Sequence, residues 1–480
     1  MDERRPEAIL PPEEIRRIAD GVVNGELFSG GCSLSVALDS RDEIEGSLFV
    51  GLKGENEDGS RFAREALERG AAGAVVGPSA WDQVKGYVKS RSSFAILASD
   101  TTRFLGDLAR IKRRALGGVT FIGITGSAGK TTTKDMVFSI LSKCGDTFRN
   151  PGNFNNLIGL PLSLLMVREG DRYAVLELGS NMPGEVGRLT DISSPHVGLI
   201  TNIGPAHLEG FGGLNGVREE KADLFARMGA DSIAVINNDD LRVKSLASRH
   251  DGKKVYFGER EGDVTGSVRT LDAERMTLGL EYGGELVGCV MNTPGIQFFR
   301  NALSSAAVAL SLGIPKESLC AGLESFYPPE GRFQVHSLMG DIVVVNDTYN
   351  ANPLSVEVSL DTVRSLYPGR KYIFVLGDML ELGDATRVSH MRMGKLASAL
   401  KPEAIFALGD LSRQLVEGVL ESDFPEERCV HFSSTDELSR ELIRRIVPGT
   451  VVLVKGSRLM KLERVVESLV RHFSLKGKTA

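Results

Sequence analysis

The sequence predicts an α/β protein in three units: a small α/β unit at the N-terminus, a central phosphate-loop unit with a mainly parallel sheet flanked by helices, and a C-terminal Rossmann-like α/β unit. Three observations lead there. Short apolar runs alternate with helical patterns from about residue 116 to 330 and again beyond 332, the mark of βαβ units. A glycine turn, Gly126 to Gly129, joins the apolar, β-branched run Val119 to Ile124 to the helical pattern that opens at Asp135. The chain has 480 residues, enough for about three domains.

The first unit is drawn at 1–116. Pro12 to Ala19 has helical spacing, Ser33 to Leu38 and Ser47 to Leu52 read as strands, and Arg61 to Arg69 is a helix leading into the strand Gly73 to Val76. Thr101 to Leu116 is a long amphipathic helix. The second unit is drawn at 117–329. Tyr173 to Leu178, His196 to Asn202 and Ser232 to Asn237 are strands separated by helical patterns at 184–192 and 214–228. Val264 to Asn292 alternates and contains Tyr-Gly-Gly, so an antiparallel hairpin is expected, followed by an alanine-rich helix from Phe298 to Leu312. Tyr327 to Arg332 reads as a linker to the third unit, drawn at 330–480, with strands at 342–346, 371–376, 404–408 and 450–454. Helices are expected there at about 354–366, 386–399, 411–420, 435–446 and 460–473. Gly117-Gly118 and Pro328-Pro329 are hinge candidates.

Composition excludes several classes. Apolar residues are 42% and charged residues 25%, with a net charge of −6, so no basic excess draws nucleic acid or an anionic membrane. No apolar run approaches the roughly 20 residues of a membrane span. The first residues lead into charge, so no secretory signal is expected and the expected location is cytoplasmic. Cys32, Cys144, Cys289, Cys320 and Cys429 lie far apart with no metal-ligand spacing, which suits reduced thiols.

The chemistry centres on the glycine turn. Glycines let backbone N–H groups turn inward, and the following helix adds its positive N-terminal dipole. Lys130 can reach terminal phosphates and the Thr131 hydroxyl can ligate Mg²⁺. The turn is shorter than the full P-loop pattern, with Ile124 where the first glycine would stand. An empty strand-to-helix turn is the bland alternative, but a Lys-Thr-Thr run in the first helical turn has no obvious packing reason. Glu177 ends an apolar strand, where a carboxylate can bind Mg²⁺ or simply be a solvated strand end. His207 follows another strand end, and a lone histidine is more often structural. Lys221 lies in a helical pattern among acids and reads as a solvated lysine paired with them. Asn150 to Pro161 is rich in asparagine, as is Asn346 to Pro353; both suit turns, or the orientation of a polar substrate. Asp378, Glu381 and Lys455 to Arg458 also follow strands. In such sheets ligands sit at the carboxyl ends of strands, so these groups would face a cleft between the units.

Taken together, these stretches resemble the Mur ligase family of ATP-dependent amide ligases over nearly the whole chain. The resemblance rests on Thr125-Gly-Ser-Ala-Gly-Lys-Thr131, Asn153 to Pro161, Glu177-Leu-Gly, Asn202 to His207, Glu220-Lys221, Asn301, Gly331-Arg332 and Asp347. Tyr349-Asn-Ala-Asn-Pro353 is similar to members that add D-alanyl-D-alanine to a UDP-N-acetylmuramoyl-tripeptide, and the Asp-Asn-Pro-Arg motif of members that add a single third amino acid is missing. The resemblance implies ATP held by Thr125, Gly126, Ser127, Ala128, Gly129, Lys130, Thr131 and Thr132, with Asn301 on adenine, Arg332 on phosphate and Asp347 on ribose. It implies one Mg²⁺ at Thr131 and Glu177 and a second at His207 and Lys221, with Lys221 carbamylated by CO₂, which turns a cation into an anionic oxygen ligand. Lys130, His207 and Lys221 are the implied catalytic groups. Ser40, Arg41, Gly54, Asn56 and Asp58 would bind the UDP-sugar. Asn153, Asn155, Asn156, Asn350, Asn352, Lys455 and Arg458 would line the peptide and acyl-phosphate side. The expected protein is a monomer. Two positions depart from the family pattern: Gln297-Phe298 stands where His-Asn is usual near adenine, and Ser60 replaces a common histidine at the uridine site. A single-amino-acid or folylpolyglutamate-type ligase, a phosphotransferase or regulatory NTPase, and a non-catalytic nucleotide-binding scaffold are the alternatives.

Overall fold

The computed structural model describes residues 4–28, 31–54, 56–89 and 91–474. Three sheets follow one another along the chain. The first has six strands, ordered Glu7–Leu10, Cys32–Ala37, Leu48–Val50, Gly73–Val76, Phe94–Leu97 and Gly21–Val23, with antiparallel pairs only at its two edges. The second has nine: Glu285–Met291, Met276–Tyr282, Val264–Leu271, Lys253–Gly258, Ile233–Asn237, Val197–Ile200, Thr120–Thr125, Tyr173–Glu177 and Thr147–Arg149. The third has six: Gln334–Leu338, Ile342–Asp347, Thr450–Lys455, Lys371–Gly377, Ala404–Leu408 and Cys429–Phe432.

Register positions the chemistry. In the central sheet Ile124 lies opposite Glu177, and Thr125 opposite Ile200, all in parallel ladders. The carboxyl ends of three buried strands therefore finish level, and whatever follows each of them shares one rim. The same happens in the third sheet, where Asp347 and Leu376 both pair with Lys455. The region 264–292, expected as a hairpin, is a three-stranded meander that extends the central sheet, with Val264–Leu271 joined to it in parallel.

Two apolar cores cover the faces of the central sheet. One runs from Leu10, Leu48 and Phe104 through Phe121 and Leu160 to Leu189 and Phe225, so it crosses from the first sheet to the second. The other passes from Ile124 and Leu278 through Phe298, Phe326 and Phe333 to Val345, Leu360 and Phe374 of the third. Each fully buried Leu or Phe contributes about 1.5–3 kcal/mol, so both junctions are packed joints. At Gly117-Gly118 the preceding helix, Thr101–Ala115, is also tied down by Arg113, which donates to the carbonyls of Ser193 and Ser194 at 2.8 Å. Rotation at that joint would open a shared core, which weighs against a free hinge there.

The dispersed cysteines are not all separate thiols. Cys289 and Cys320 form a disulfide, because the helix Lys316–Glu324 packs on the edge strand Glu285–Met291 and closes a 31-residue separation. Cys32, Cys144 and Cys429 are free. Among the described residues, no helix is long and apolar enough to cross a membrane.

Candidate active site

The strand Thr120–Thr125 ends in a loop that only glycine permits. Gly126 has φ +146°, and a Cβ there would lie 2.0 Å from Thr201 Oγ1. Gly129 has φ +80°, and its Cβ would lie 2.7 Å from Asn301 Oδ1. The neighbouring strand end braces the loop: Ala128 N donates to Asn202 Oδ1 at 2.9 Å, and Thr201 Oγ1 donates to Ala128 O at 2.7 Å. Helix Lys130–Leu141 then starts beneath it. Lys130 Nζ folds back on Gly126 O at 2.8 Å, and burial lowers its pKa, with Glu177 opposing and Arg332 reinforcing the shift.

Thr131 and Glu177 meet directly. Thr131 Oγ1 donates to Glu177 Oε2 at 2.8 Å, and Arg332 Nη2 donates to Thr131 Oγ1 at the same distance. Asn155 Nδ2 donates to the other carboxylate oxygen at 2.9 Å. Glu177 is 2% exposed, so the solvated strand-end alternative fails. Lys134 was not anticipated. It is buried, 3.9 Å from Glu177 Oε2, and donates to Asn150 O at 3.0 Å. Its signal was a second lysine four residues after Lys130, on a helix face otherwise committed to the core.

The reading of Lys221 as a solvated helix lysine is also overturned. Its Nζ is buried, donates to Ser180 Oγ at 2.5 Å and lies 5.7 Å from the Phe211 ring centroid. Glu220 does not pair with it, because its carboxylate caps the backbone N–H groups of Gly184 and Val186. Burial, and secondarily Lys130, push the Lys221 amine down to about 7. His207 sits in the left-handed region, φ +52°, with Nδ1 2.5 Å from Glu381 Oε2, an approach off the hydrogen-bond axis.

The C-terminal sheet supplies the opposite wall. Lys455 Nζ and Ser359 Oγ each donate to Asp347 Oδ2 at 2.6 Å. Arg332 lies over the Tyr349 ring at 4.1 Å, and Arg458 is 5.7 Å from the same ring. Asn352 forms a capping box with Ser355 at the helix Pro353–Leu366, which uses its side-chain oxygen and leaves Nδ2. Asn156 accepts from the N–H groups of Ile158 and Gly159. The Asn350 side chain accepts from the adjacent Ala351 N, and its carbonyl accepts from Lys455. Asn301 rests against Gly129 and buttresses the phosphate loop, while Gln297 takes a hydrogen bond from Thr362 of the C-terminal unit at 2.7 Å and Phe298 is in the core.

Between these walls lies a cleft of about 950 Å³. It is lined by Ser127 to Thr132, Asn153, Asn155, Asn156, Glu177, His207, Asn301, Arg332, Asp347, Asn350, Asn352, Lys455 and Arg458. Thr125 and Lys221 are buried and do not line it, although Ser180, to which Lys221 donates, does. The N-terminal set is elsewhere. Ser40 bonds Glu65, Arg41 is exposed and paired with Asp39, Gly54 closes a turn on Glu57, Asn56 is exposed, and Asp58 caps Ser60 and accepts from Ser79.

The donors fit a nucleotide and hard cations: a glycine cradle that a Cβ would fill, a hydroxyl and a carboxylate in contact, and an imidazole. Lys221 fits only with its amine neutral or converted to an oxygen ligand.

Residues 124–309 match the Mur ligase middle domain and residues 331–458 match the Mur ligase, glutamate ligase domain. UDP-N-acetylmuramoyl-tripeptide–D-alanyl-D-alanine ligase from Bacillus subtilis (strain 168) is 31% identical over 437 residues, covering 91% of this chain and 93% of that protein. The protein of the same name from Escherichia coli (strain K12) is 32% identical, covering 93% and 96%. A crystal structure of MurF from Acinetobacter baumannii superposes with a TM-score of 0.86 at 29% identity, covering 97% of this chain and 100% of that one. MurF ligase from Thermotoga maritima in complex with ADP superposes at 0.80, with 28% identity and coverage of 91% and 97%.

Proposed function

The chain belongs to the Mur ligase family, and we propose that it joins D-alanyl-D-alanine to UDP-N-acetylmuramoyl-tripeptide, converting ATP to ADP and phosphate in peptidoglycan precursor synthesis. The observation that carries this is the direct contact of Arg332 with Thr131 and of Thr131 with Glu177, which brings a phosphate loop, a cation carboxylate and a group from the C-terminal unit to one point.

A carboxylate is a poor acylating agent because its leaving group would be oxide. Transfer of the ATP γ-phosphoryl group to the tripeptide's terminal carboxylate gives an acyl phosphate and ADP. The D-alanyl-D-alanine amine then attacks that carbonyl carbon, the tetrahedral adduct collapses, the C–O bond to phosphate breaks, and the amine loses its proton. Lys130 and the loop amides neutralise the transferring phosphoryl oxygens. Two Mg²⁺ ions, when bound, would supply charge neutralisation that side chains alone do not, one at Thr131 and Glu177, the other at His207 and Lys221. A neutral Lys221 amine can add CO₂ and lose a proton to become a carbamate, and the lowered pKa supports that chemistry. Closure of the cleft over the substrates would exclude water from the acyl phosphate.

Residues 1–116 are assigned to the UDP-sugar, with Ser40, Arg41, Gly54, Asn56 and Asp58 as contacts. Residues 117–329 are assigned to ATP and the cations, and 330–480 to the dipeptide and to closure over ATP, with Asn301, Asp347, Asn350, Asn352, Lys455 and Arg458 around the substrates. Nucleotide substrates make it a cytoplasmic reaction, and the assigned active species is a monomer.

The test is phosphate release from ATP with Mg²⁺ and the tripeptide, with and without D-alanyl-D-alanine. Release that depends on the dipeptide, with a pentapeptide product by mass spectrometry, is expected. Release indifferent to the dipeptide, or turnover only with a single amino acid, overturns this reading.

A further inference from the structure

The loop after the strand Lys371–Gly377 crosses from the C-terminal unit to touch His207, and it is rigid for identifiable reasons. Asp378 Oδ1 accepts from Ser412 N at 2.7 Å, and its carbonyl accepts from Ser457 N at 3.0 Å. Leu380 N donates to Ser457 Oγ at 3.0 Å. Met379 N donates to His390 Nε2 at 3.0 Å, and the other nitrogen of that ring lies 2.8 Å from Thr386 O. Met379 and Leu382 are buried. Between those anchors Glu381 projects outward, its side chain 58% exposed.

Two features make the meeting with His207 more than a surface ion pair. Both residues lie in the left-handed region, φ +52° for His207 and +64° for Glu381, a conformation that non-glycine residues keep only when their surroundings impose it. The two loops also approach backbone to backbone. Glu209 N points to Glu381 O at 3.5 Å, and a Cβ on Gly383 would lie 3.3 Å from Glu209 Cα. The Glu381 carboxylate lies 2.5 Å from Nδ1 and off the hydrogen-bond axis; a small rotation of the ring would seat the imidazole proton on Nδ1 against it and leave Nε2 as the lone-pair donor.

We propose that Glu381 is a positioning residue that orients His207, so that the cation position at His207 and Lys221 is completed only when the C-terminal unit closes on the central one. The inference rests on the proposed role of His207, and it makes the C-terminal sheet part of the cation site without contributing a ligand to it. A carboxylate on the far side of a ligand imidazole typically matters 10–100-fold in affinity.

The test is Mn²⁺ binding to the full chain with ADP and bicarbonate, followed by electron paramagnetic resonance, for wild type, Glu381→Ala, Glu381→Gln and His207→Ala. Wild type is expected to bind two ions. Glu381→Ala should weaken the second by about 10–100-fold, Glu381→Gln by less, and neither should change the first. On the His207→Ala background, Glu381→Ala should make no further difference. A single Mn²⁺ in wild type, unchanged second-ion affinity in both Glu381 variants, or additive effects of the two alanine substitutions would each overturn the proposal. Thermal unfolding checks that the variants are folded, and Glu381→Gln keeps the side-chain size if the alanine variant is not. The readout needs neither tripeptide nor dipeptide. Absence of ligase turnover in wild type therefore counts against the proposed function alone, and unchanged Mn²⁺ binding in an active ligase counts against Glu381 alone.

Discussion

The wall of the cleft built on Thr120–Thr125, Tyr173–Glu177 and Val197–Ile200 is held together within one sheet. Its loop, Asn202, Thr131, Glu177 and Asn155 bond to one another, and parallel register fixes their relative heights. The facing wall is equally ordered internally, through Asp347, Lys455 and Ser359, but it reaches the first by few polar contacts, among them Arg332 to Thr131, Glu381 to His207 and Thr362 to Gln297. The difference teaches where each kind of control resides. On the proposed function, one wall would bind phosphate by itself, while the other would make the site conditional on closure.

Removing charge from the self-contained wall should have the largest effect. Lys130→Ala should reduce kcat for phosphate release by about 10²–10³-fold with the thermal midpoint held or raised, because a desolvated lysine is lost. A matching loss of stability would make Lys130 part of the scaffold. Next is the bridge: Arg332→Ala removes a charged hydrogen bond of about 1.5–3 kcal/mol, so KM for ATP should rise about 10-fold or more. An unchanged KM would mean that the two walls act independently.

The third test uses pH. Below about 7 the Lys221 amine is protonated and cannot attack CO₂, and its neutral fraction falls about tenfold per pH unit. Added bicarbonate should therefore stimulate turnover more at pH 6 than at pH 8, with a ¹³C carbamate signal that is absent in Lys221→Ala. The smallest effect separates two roles of one side chain. Asn352→Asp keeps the oxygen that caps Pro353–Leu366 and removes Nδ2, so stability should hold while KM for the dipeptide rises about fivefold, the equivalent of one hydrogen bond. Asn352→Ala should also lose about 1 kcal/mol of stability.

Much of this was legible in the chain. Gly126, Gly129 and Lys130 announce themselves because a tight turn into a helix demands those residue types in that order. Lys221 was misread because helical periodicity shows which residues share a face, not which face is covered. Glu381 was visible as a polar residue after a strand, but its partner was not, since His207 lies 174 positions earlier. Cys289 and Cys320 gave no pairing signal, because only the packing of a helix on an edge strand joins them.

By itself, then, the sequence determined the alternation of strands and helices, the phosphate loop and the family, because these depend on local propensity and on residue order over short windows. The tertiary structure alone decided which strand ends finish level, that Lys221 is desolvated to a pKa of about 7, and that His207 faces a carboxylate from another sheet. Register, burial and cross-unit contact depend on packing between segments far apart in the chain, and no short window of sequence records them.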